Sequence, residues 1–383
     1  MIYLDNAATS FPKPARVYER MDRFLREEAA NPGRSGHRLS VEAEAQILQA
    51  RNILAKFFNV KHPERIIFTL NGTDSLNIAI KGVLRAGDHV ITTVLEHNSV
   101  LRPLNALAAN GKIALTKLDA SKEGLIDPEN VRKAIRKSTR LVAVTHASNV
   151  TGVVQPVQPI GRIARESGAL FLVDAAQTAG VIPIDVEQDL IDLLAFPGHK
   201  SLYGPPGTGG LVVGERPQLV PWREGGTGFD SESATQPEEF PFALEGGTPN
   251  TVGIVGLKEG VEFILKEGLE RIQNHERSLV RKLRDGLARL SGVHLHGTSD
   301  VAKSVAPVSF VVDGLDPQEL SVILDQSFDI AVRAGLHCAP LVHQALGTFP
   351  KGSVRLSPGY FNTAHDMEQA VSAVREIQSQ VSV

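Results

Sequence analysis

The chain holds a single cysteine, Cys338, among its 383 residues. One thiol excludes an intrachain disulfide framework and any site that needs two thiolates from the same chain, and it fits a reducing compartment. Nowhere does the sequence offer the roughly 18 uninterrupted apolar residues of a membrane-spanning helix. Its first residues, Met1-Ile2-Tyr3-Leu4-Asp5-Asn6, carry neither the basic nor the apolar stretch of a secretory leader. A cytoplasmic protein is expected. An excess of one charge is missing too: 40 Lys and Arg against 43 Asp and Glu leave a net charge of -3, so no basic field draws the chain to nucleic acid or to an anionic membrane. Small-molecule ligands are expected instead. There is no internal repeat and no low-complexity tail.

What is present is a soluble globular composition, 42% hydrophobic and 22% charged, enough for one large core and a smaller unit. Short runs rich in Val, Ile, Leu and Phe alternate with helical stretches from Arg65 to Val213, the pattern of strands buried on both faces of a mainly parallel sheet. Strands are expected at Ile66 to Leu70, His89 to Val94, Leu141 to Thr145, Leu170 to Asp174, Leu193 to Phe196 and Gly210 to Val213. Helices are expected at Ser75 to Leu84, Val100 to Ala109, Pro128 to Ile135 and Ile160 to Glu166. In such an α/β fold, ligands gather beyond the carboxyl ends of the strands. Gly214 to Asn250, rich in Gly, Pro, Glu and Thr, reads as a long functional loop. An amphipathic helical stretch from Gly253 to Leu290 follows, broken near Gly268. A small α+β unit then has strands at Ala306 to Val312, Ile330 to Arg333 and Ser353 to Leu356, and helices at Pro317 to Asp325 and Ala364 to Gln378.

Chemistry-bearing residues cluster at the expected strand ends. Lys200, in Gly198-His199-Lys200, and Asp174, at the end of Phe171-Leu172-Val173-Asp174, together suit pyridoxal phosphate. Its aldehyde needs an amine for a Schiff base, and its pyridine nitrogen needs a carboxylate to stay protonated. Taken singly, each has a plainer alternative, a solvated lysine or a helix cap. Asn71-Gly72-Thr73-Asp74 opens a helix and so offers free N–H groups to a phosphate, or else Thr73 or Asp74 simply caps that helix. His97 can lie against an aromatic ring and move protons. Asn149 and Gln177 can bond a phenolate oxygen, and Arg355 is suited to a substrate carboxylate or to a surface ion pair. Cys338, in Arg333-Ala334-Gly335-Leu336-His337-Cys338, has a cation and a helix start nearby that favour a thiolate; a buried apolar cysteine is the alternative. Gly204-Pro205-Pro206-Gly207-Thr208-Gly209-Gly210 is not a nucleotide-triphosphate loop, because Gly210 and Leu211 stand where that motif needs Lys and Ser or Thr. No second cysteine or clustered carboxylate completes a metal site around His337, Cys338 and His343.

These residues, with Tyr3 to Thr9, Asn31 to His37, His146 to Gly152, Gly247-Thr248-Pro249-Asn250 and Asn362-Thr363, resemble a cysteine desulfurase of the class V aminotransferase group, a fold-type I pyridoxal phosphate enzyme. The compact Arg333 to Cys338 loop is most similar to the second group of these enzymes, which shares its pattern with selenocysteine lyases. The resemblance implies a seven-stranded, mainly parallel sheet in a large unit spanning 16–255. It also implies an N-terminal arm over 1–15 associated with a smaller α+β unit over 256–383, which carries the cysteine loop.

On that resemblance pyridoxal 5'-phosphate is held by Lys200, Asp174, Gln177 and His97, with Thr73, Asp74 and His199 around its phosphate. Thr248 is similar to a residue that reaches the cofactor of the neighbouring subunit, implying a homodimer. Asn149 and Arg355 hold the substrate carboxylate, with Asn6, His37 and Arg333 close by. Lys200 moves the Cα proton of L-cysteine, and Cys338 takes the sulfur as a persulfide for an acceptor protein, with iron–sulfur assembly as one destination. Two positions depart from the pattern: Pro197 stands where many relatives have Ser, and Asp74 where Thr is frequent, each removing a hydroxyl donor from the phosphate. The alternatives are a selenocysteine lyase or a carbon–sulfur lyase on the same scaffold, or a non-catalytic sulfur-relay scaffold.

Overall fold

The computed structural model describes residues 1–33 and 36–381, so Arg34 and Ser35 of the 31–37 motif lie outside the described residues. Its elements run β1 (Ile2–Tyr3), α1 (Ala15–Glu27), α2 (Arg38–Phe58), β2 (Ile66–Thr69), α3 (Gly72–Val83), β3 (His89–Thr93), α4 (Asn98–Ala109), β4 (Ala114–Leu118) and α5 (Pro128–Ala134). They continue β5 (Thr139–Thr145), α6 (Val157–Glu166), β6 (Leu170–Asp174), β7 (Leu193–Pro197), β8 (Gly209–Val213), α7 (Thr251–Glu267) and α8 (Leu269–Leu287). The last are β9 (Val293–Leu295), β10 (Val308–Val312), α9 (Pro317–Phe328), β11 (Ile330–Ala331), β12 (Arg333–Gly335), α10 (Pro340–Leu346), β13 (Ser353–Leu356) and α11 (Ala364–Val381). No described helix is long and apolar enough to cross a membrane.

Seven strands form one sheet in the order β2-β8-β7-β6-β5-β3-β4. Along β6 the side chains alternate, Phe171 and Val173 into one core and Leu170 and Leu172 into the other. Both faces are covered, which is why the strand reads as an unbroken apolar run. Leu54 and Phe58 of α2, Ile160 of α6 and Leu257 and Val261 of α7 cover the first face. Leu76 and Ile80 of α3 and Val100 and Leu104 of α4 cover the second. β3, β4, β5, β6 and β7 are parallel, whereas β8 is antiparallel to both β7 and β2. The carboxyl ends of β2, β3, β5, β6 and β7 therefore share one edge.

The third core joins Leu4 to Leu279 and Leu283 of α8, Phe310 of β10, Leu320 of α9 and Val374 of α11. It packs on the four-stranded sheet β12-β13-β10-β9. The single strand expected from Ile330 to Arg333 is two elements: residues 330–331 pair in parallel with β1, and residues 333–335 pair antiparallel with β13. One run of chain serves two sheets because the N-terminal segment takes up the first half of it. The helical stretch after residue 250 breaks at Gly268, whose φ of 87° ends α7. The 214–250 segment contains neither helix nor strand.

Candidate active site

A cavity of about 220 Å³ lies at the shared strand edge, lined by Thr73, His97, Asn149, Asp174, Gln177, His199, Lys200, Arg333 and Arg355, among others. The sequence scatters these residues over almost the whole chain; the parallel sheet brings them together. Asp174 ends β6 and is 4% exposed. Its Oδ1 accepts from Ala176 N–H at 2.9 Å, and its other oxygen has no protein donor among the described residues. Burial raises its pKa, against the pull of that N–H and of Lys200. Lys200 follows β7 and makes no hydrogen bond or ion pair with a described residue. Burial lowers its amine to about 8; Arg355 and Arg333 push the same way and Asp174 opposes them.

His97 caps α4, accepting at Nδ1 from Ser99 N–H at 3.0 Å. That bond fixes the proton of the neutral ring on Nε2. Burial, then Lys200 and Arg333, lower its pKa to about 4. Ser99 Oγ lies 2.9 Å from the same nitrogen and 2.7 Å from Thr73 Oγ1, so a hydroxyl chain links the imidazole to the start of α3. Asn71, rather than Thr73 or Asp74, caps α3, accepting from Asp74 N–H at 2.9 Å. The helix begins at Gly72, three residues earlier than the sequence suggested, and the Gly72 and Thr73 N–H groups have no protein partner among the described residues. The start of α3 lies beside Pro197 at the end of β7, close enough that a Cβ on Gly72 would make an ordinary contact with the proline ring.

Arg355, only 1% exposed, is held by Asp5 Oδ1 at 2.8 Å and by the Asn149 carbonyl at 3.0 Å, while its Nε is buried without a partner. Asn149 spends its amide on the His337 carbonyl at 2.6 Å, tying the cysteine loop to β5. Gln177 donates to the Ala7 carbonyl at 3.1 Å. Cys338 is exposed and does not line the cavity, although the adjacent His337 does. Arg333 Nη2 is 3.8 Å from its sulfur. His337 and Cys338 both adopt left-handed backbone, with φ of 48° and 59°, a conformation that costs a non-glycine residue about 1–2 kcal/mol. Bonds from Asn149 and from Asn98 N–H to Cys338 O at 2.8 Å hold the loop there.

Four expected site residues do not line this cavity. Asn6 bonds Ser357 O at 3.1 Å and Asn362 Oδ1 at 3.3 Å through Nδ2, and accepts from Phe11 N–H, which spends its amide on anchoring the N-terminal arm. His37 caps α2 through Ser40 N–H. Asp74 and Thr248 face a separate cavity of about 640 Å³ beside the 214–250 segment. Three further residues bear on the site through partners distant in the sequence. Asp5 pairs with Arg355 across 350 positions of sequence, Lys13 donates to the His199 carbonyl at 3.1 Å, and Glu96 is buried beside Asp174.

The aminotransferase class-V family matches residues 2–370. A probable cysteine desulfurase from Methanothermobacter thermautotrophicus is 37% identical, over 98% of this chain and 94% of its own length. The cysteine desulfurase IscS of Dictyoglomus turgidum is 32% identical, over 98% and 94%. The apo structure of a cysteine desulfurase from Thermococcus onnurineus superposes with a TM-score of 0.94 at 38% identity, covering 99% of this chain and 95% of that one. The Escherichia coli cysteine desulfurase CsdA superposes at 0.88 and 30%, covering 99% and 94%. Matched along nearly its whole length, the chain belongs to the class-V aminotransferase family.

Proposed function

We propose that this protein is a pyridoxal phosphate-dependent cysteine desulfurase, which converts L-cysteine to L-alanine and takes the sulfur onto Cys338. The observation that carries the reading is the single cavity lined by an unpartnered lysine and a buried carboxylate, Lys200 and Asp174, with Arg333 bridging from its wall to Cys338. The unmet groups of that cavity fit the cofactor. Lys200 would offer a free amine to its aldehyde, the bare oxygen of Asp174 would suit its ring nitrogen, and the Gly72 and Thr73 N–H groups at the start of α3 would suit its phosphate. His97 would lie against the ring, Gln177 would serve the phenolic oxygen, and His199 would help hold the phosphate. When bound, pyridoxal phosphate supplies an electron sink for the bond broken at the substrate Cα.

The chain's own residues supply the rest. Arg355, oriented by Asp5, presents its free Nε to the substrate carboxylate, with Asn149 beside it. Lys200, its pKa lowered to about 8, is basic enough to take the Cα proton and acidic enough to return it near neutral pH. The Cys338 thiolate, with the Arg333 guanidinium beside it, attacks the substrate sulfur. The S–S bond forms as the substrate C–S bond breaks, the carbon is protonated, and alanine leaves with the persulfide on Cys338. The exposure of Cys338 suits delivery to an acceptor protein. The position of Thr248 in a surface cavity, away from its own chain's site, supports a role toward a second subunit in a homodimer.

The test is product identity from L-cysteine, L-selenocysteine and L-cystine. Alanine with a Cys338 persulfide is expected from L-cysteine, and Cys338→Ala abolishes the persulfide and alanine together. Pyruvate and ammonia would indicate a carbon–sulfur lyase. Turnover of selenocysteine alone, undiminished in Cys338→Ala, would indicate a selenocysteine lyase. A chain that binds the cofactor and turns over none of the three would be a scaffold.

A further inference from the structure

Glu96, just past the end of β3, has no exposed surface. Its Oε1 accepts from Thr93 Oγ1 at 2.7 Å and from Thr145 N–H at 3.0 Å, and its Oε2 is buried with no partner. Thr145 is the last residue of β5 and stands directly opposite Asp174 in the β5–β6 register. The next residue, His146, donates its N–H to the Asp174 carbonyl at 2.9 Å. One carboxyl group therefore ties the end of β3, which leads into His97, to the stretch of β5 against which Asp174 is set.

The surrounding groups decide its charge. Asp174, from β6, is the charged group that bears on Glu96. The imidazoles of His97 and His146 are kept neutral by burial, each lowered to about 4. Lys200 and the Ala176 N–H favour the anion of Asp174, whereas Glu96 has two neutral donors and one bare oxygen. Two buried carboxyls acting on each other do not both ionise, and the negative charge goes to the one with a cation nearby, which is Asp174. Burial accordingly raises Glu96 to about 8.

We propose that Glu96 is a positioning residue for the carboxylate that meets the cofactor's ring nitrogen: as a neutral acid it fixes the backbone opposite Asp174 and leaves Asp174 the sole anion of the pair. This rests on the reading of the site given above. The first test needs no cofactor chemistry. An infrared difference spectrum at near-neutral pH, wild-type holoenzyme minus Glu96→Gln, is expected to show the C=O stretch of a protonated carboxyl; carboxylate bands in its place would overturn the proposal.

The second test titrates the cofactor-stripped full chain with pyridoxal phosphate and follows visible absorbance. Glu96→Gln keeps an acceptor for Thr93 and Thr145, and its affinity is expected within about threefold of wild type; Glu96→Ala leaves the buried Thr145 N–H unpaired and is expected to bind at least about tenfold more weakly. Glu96→Met, which fills the volume without an acceptor, replaces the alanine variant if that one does not fold. A glutamine variant as weak as alanine, or an alanine or methionine variant as tight as wild type, would refute the positioning role. A wild-type chain that binds no pyridoxal phosphate would instead refute the functional reading, and the infrared result would still decide the state of Glu96.

Discussion

Replacing Glu276 by Gln should stabilise the protein, and should do so only where the carboxyl would ionise in the unfolded chain. Glu276 lies on α8, is 5% exposed, and makes no hydrogen bond or ion pair with a described residue. Burial alone raises its pKa from 4.5 to about 8. Below pH 4.5 the acid is neutral folded and unfolded, and contributes no difference. Above it the unfolded chain gains the free energy of ionisation while the folded chain does not, so stability falls by about 1.4 kcal/mol per pH unit until the folded group ionises too. From 4.5 to pH 7 the loss comes to about 3 kcal/mol, and it levels off above pH 8. Glutamine has nearly the same shape and stays neutral throughout. Equilibrium denaturant unfolding of both full-length proteins, at fixed protein concentration and ionic strength, measures the difference. The midpoints are expected to coincide near pH 4.5 and to separate progressively toward pH 8, with the variant the more stable. A pH-independent gap, or a variant less stable at pH 7, would show that the acid has a partner or a charge stabiliser and would refute the reasoning.

Asp5→Asn should cost about 2 kcal/mol, because it removes the anion from a nearly fully buried Arg355. It should also raise KM for L-cysteine more than it lowers kcat, measured by alanine release. Gly152→Ala should destabilise by at least about 2 kcal/mol, read by thermal unfolding. Gly152 has a φ of 71°, and a Cβ there would lie 2.6 Å from the Val305 carbonyl and 2.7 Å from that of Pro307, where the chain after β5 meets the segment before β10.

Much of the sheet was readable because β3, β5, β6 and β7 are buried on both faces and so appear as continuous apolar runs. Strand β4 was not: it lies at the sheet edge, includes the exposed Lys117, and looks like a polar connection. Direction was equally hidden, since Gly209–Val213 carries the same kind of buried run whether it pairs parallel or antiparallel. Helices α1 and α2 precede the first buried strand, so no strand–helix alternation sets them off, although their apolar positions pack on α7. At the site, Lys200, Asp174, His97 and Gln177 were legible because each follows a recognisable strand, and strand ends are where a parallel sheet gathers ligands. Asp5, Lys13 and Glu96 meet partners that only folding brings near, so their contacts are not legible even where, as for Asp5, the residue lies in a motif that carries the resemblance.

Burial first, and an excess of cations second, explain why so many groups around the cavity are neutral. Lys200, Arg333 and Arg355 face it, while Asp174 and Asp5 are the carboxylates bearing on those cations. Burial disfavours protonating His97, His199 or His337, and the proton would add to an excess of cations as well; their pKa values fall to about 4, about 4 and about 2. Burial, with the same surplus, weakens the hold of Lys200 on its proton. On the proposed function, a ligand with a phosphate at one end and a carboxylate at the other would offset that surplus at two separate places, the start of α3 and Arg355. Burial remains the larger cause of the lowered Lys200 amine, with the neighbouring guanidiniums second, and an amine so lowered would be reactive toward a carbonyl carbon near neutral pH.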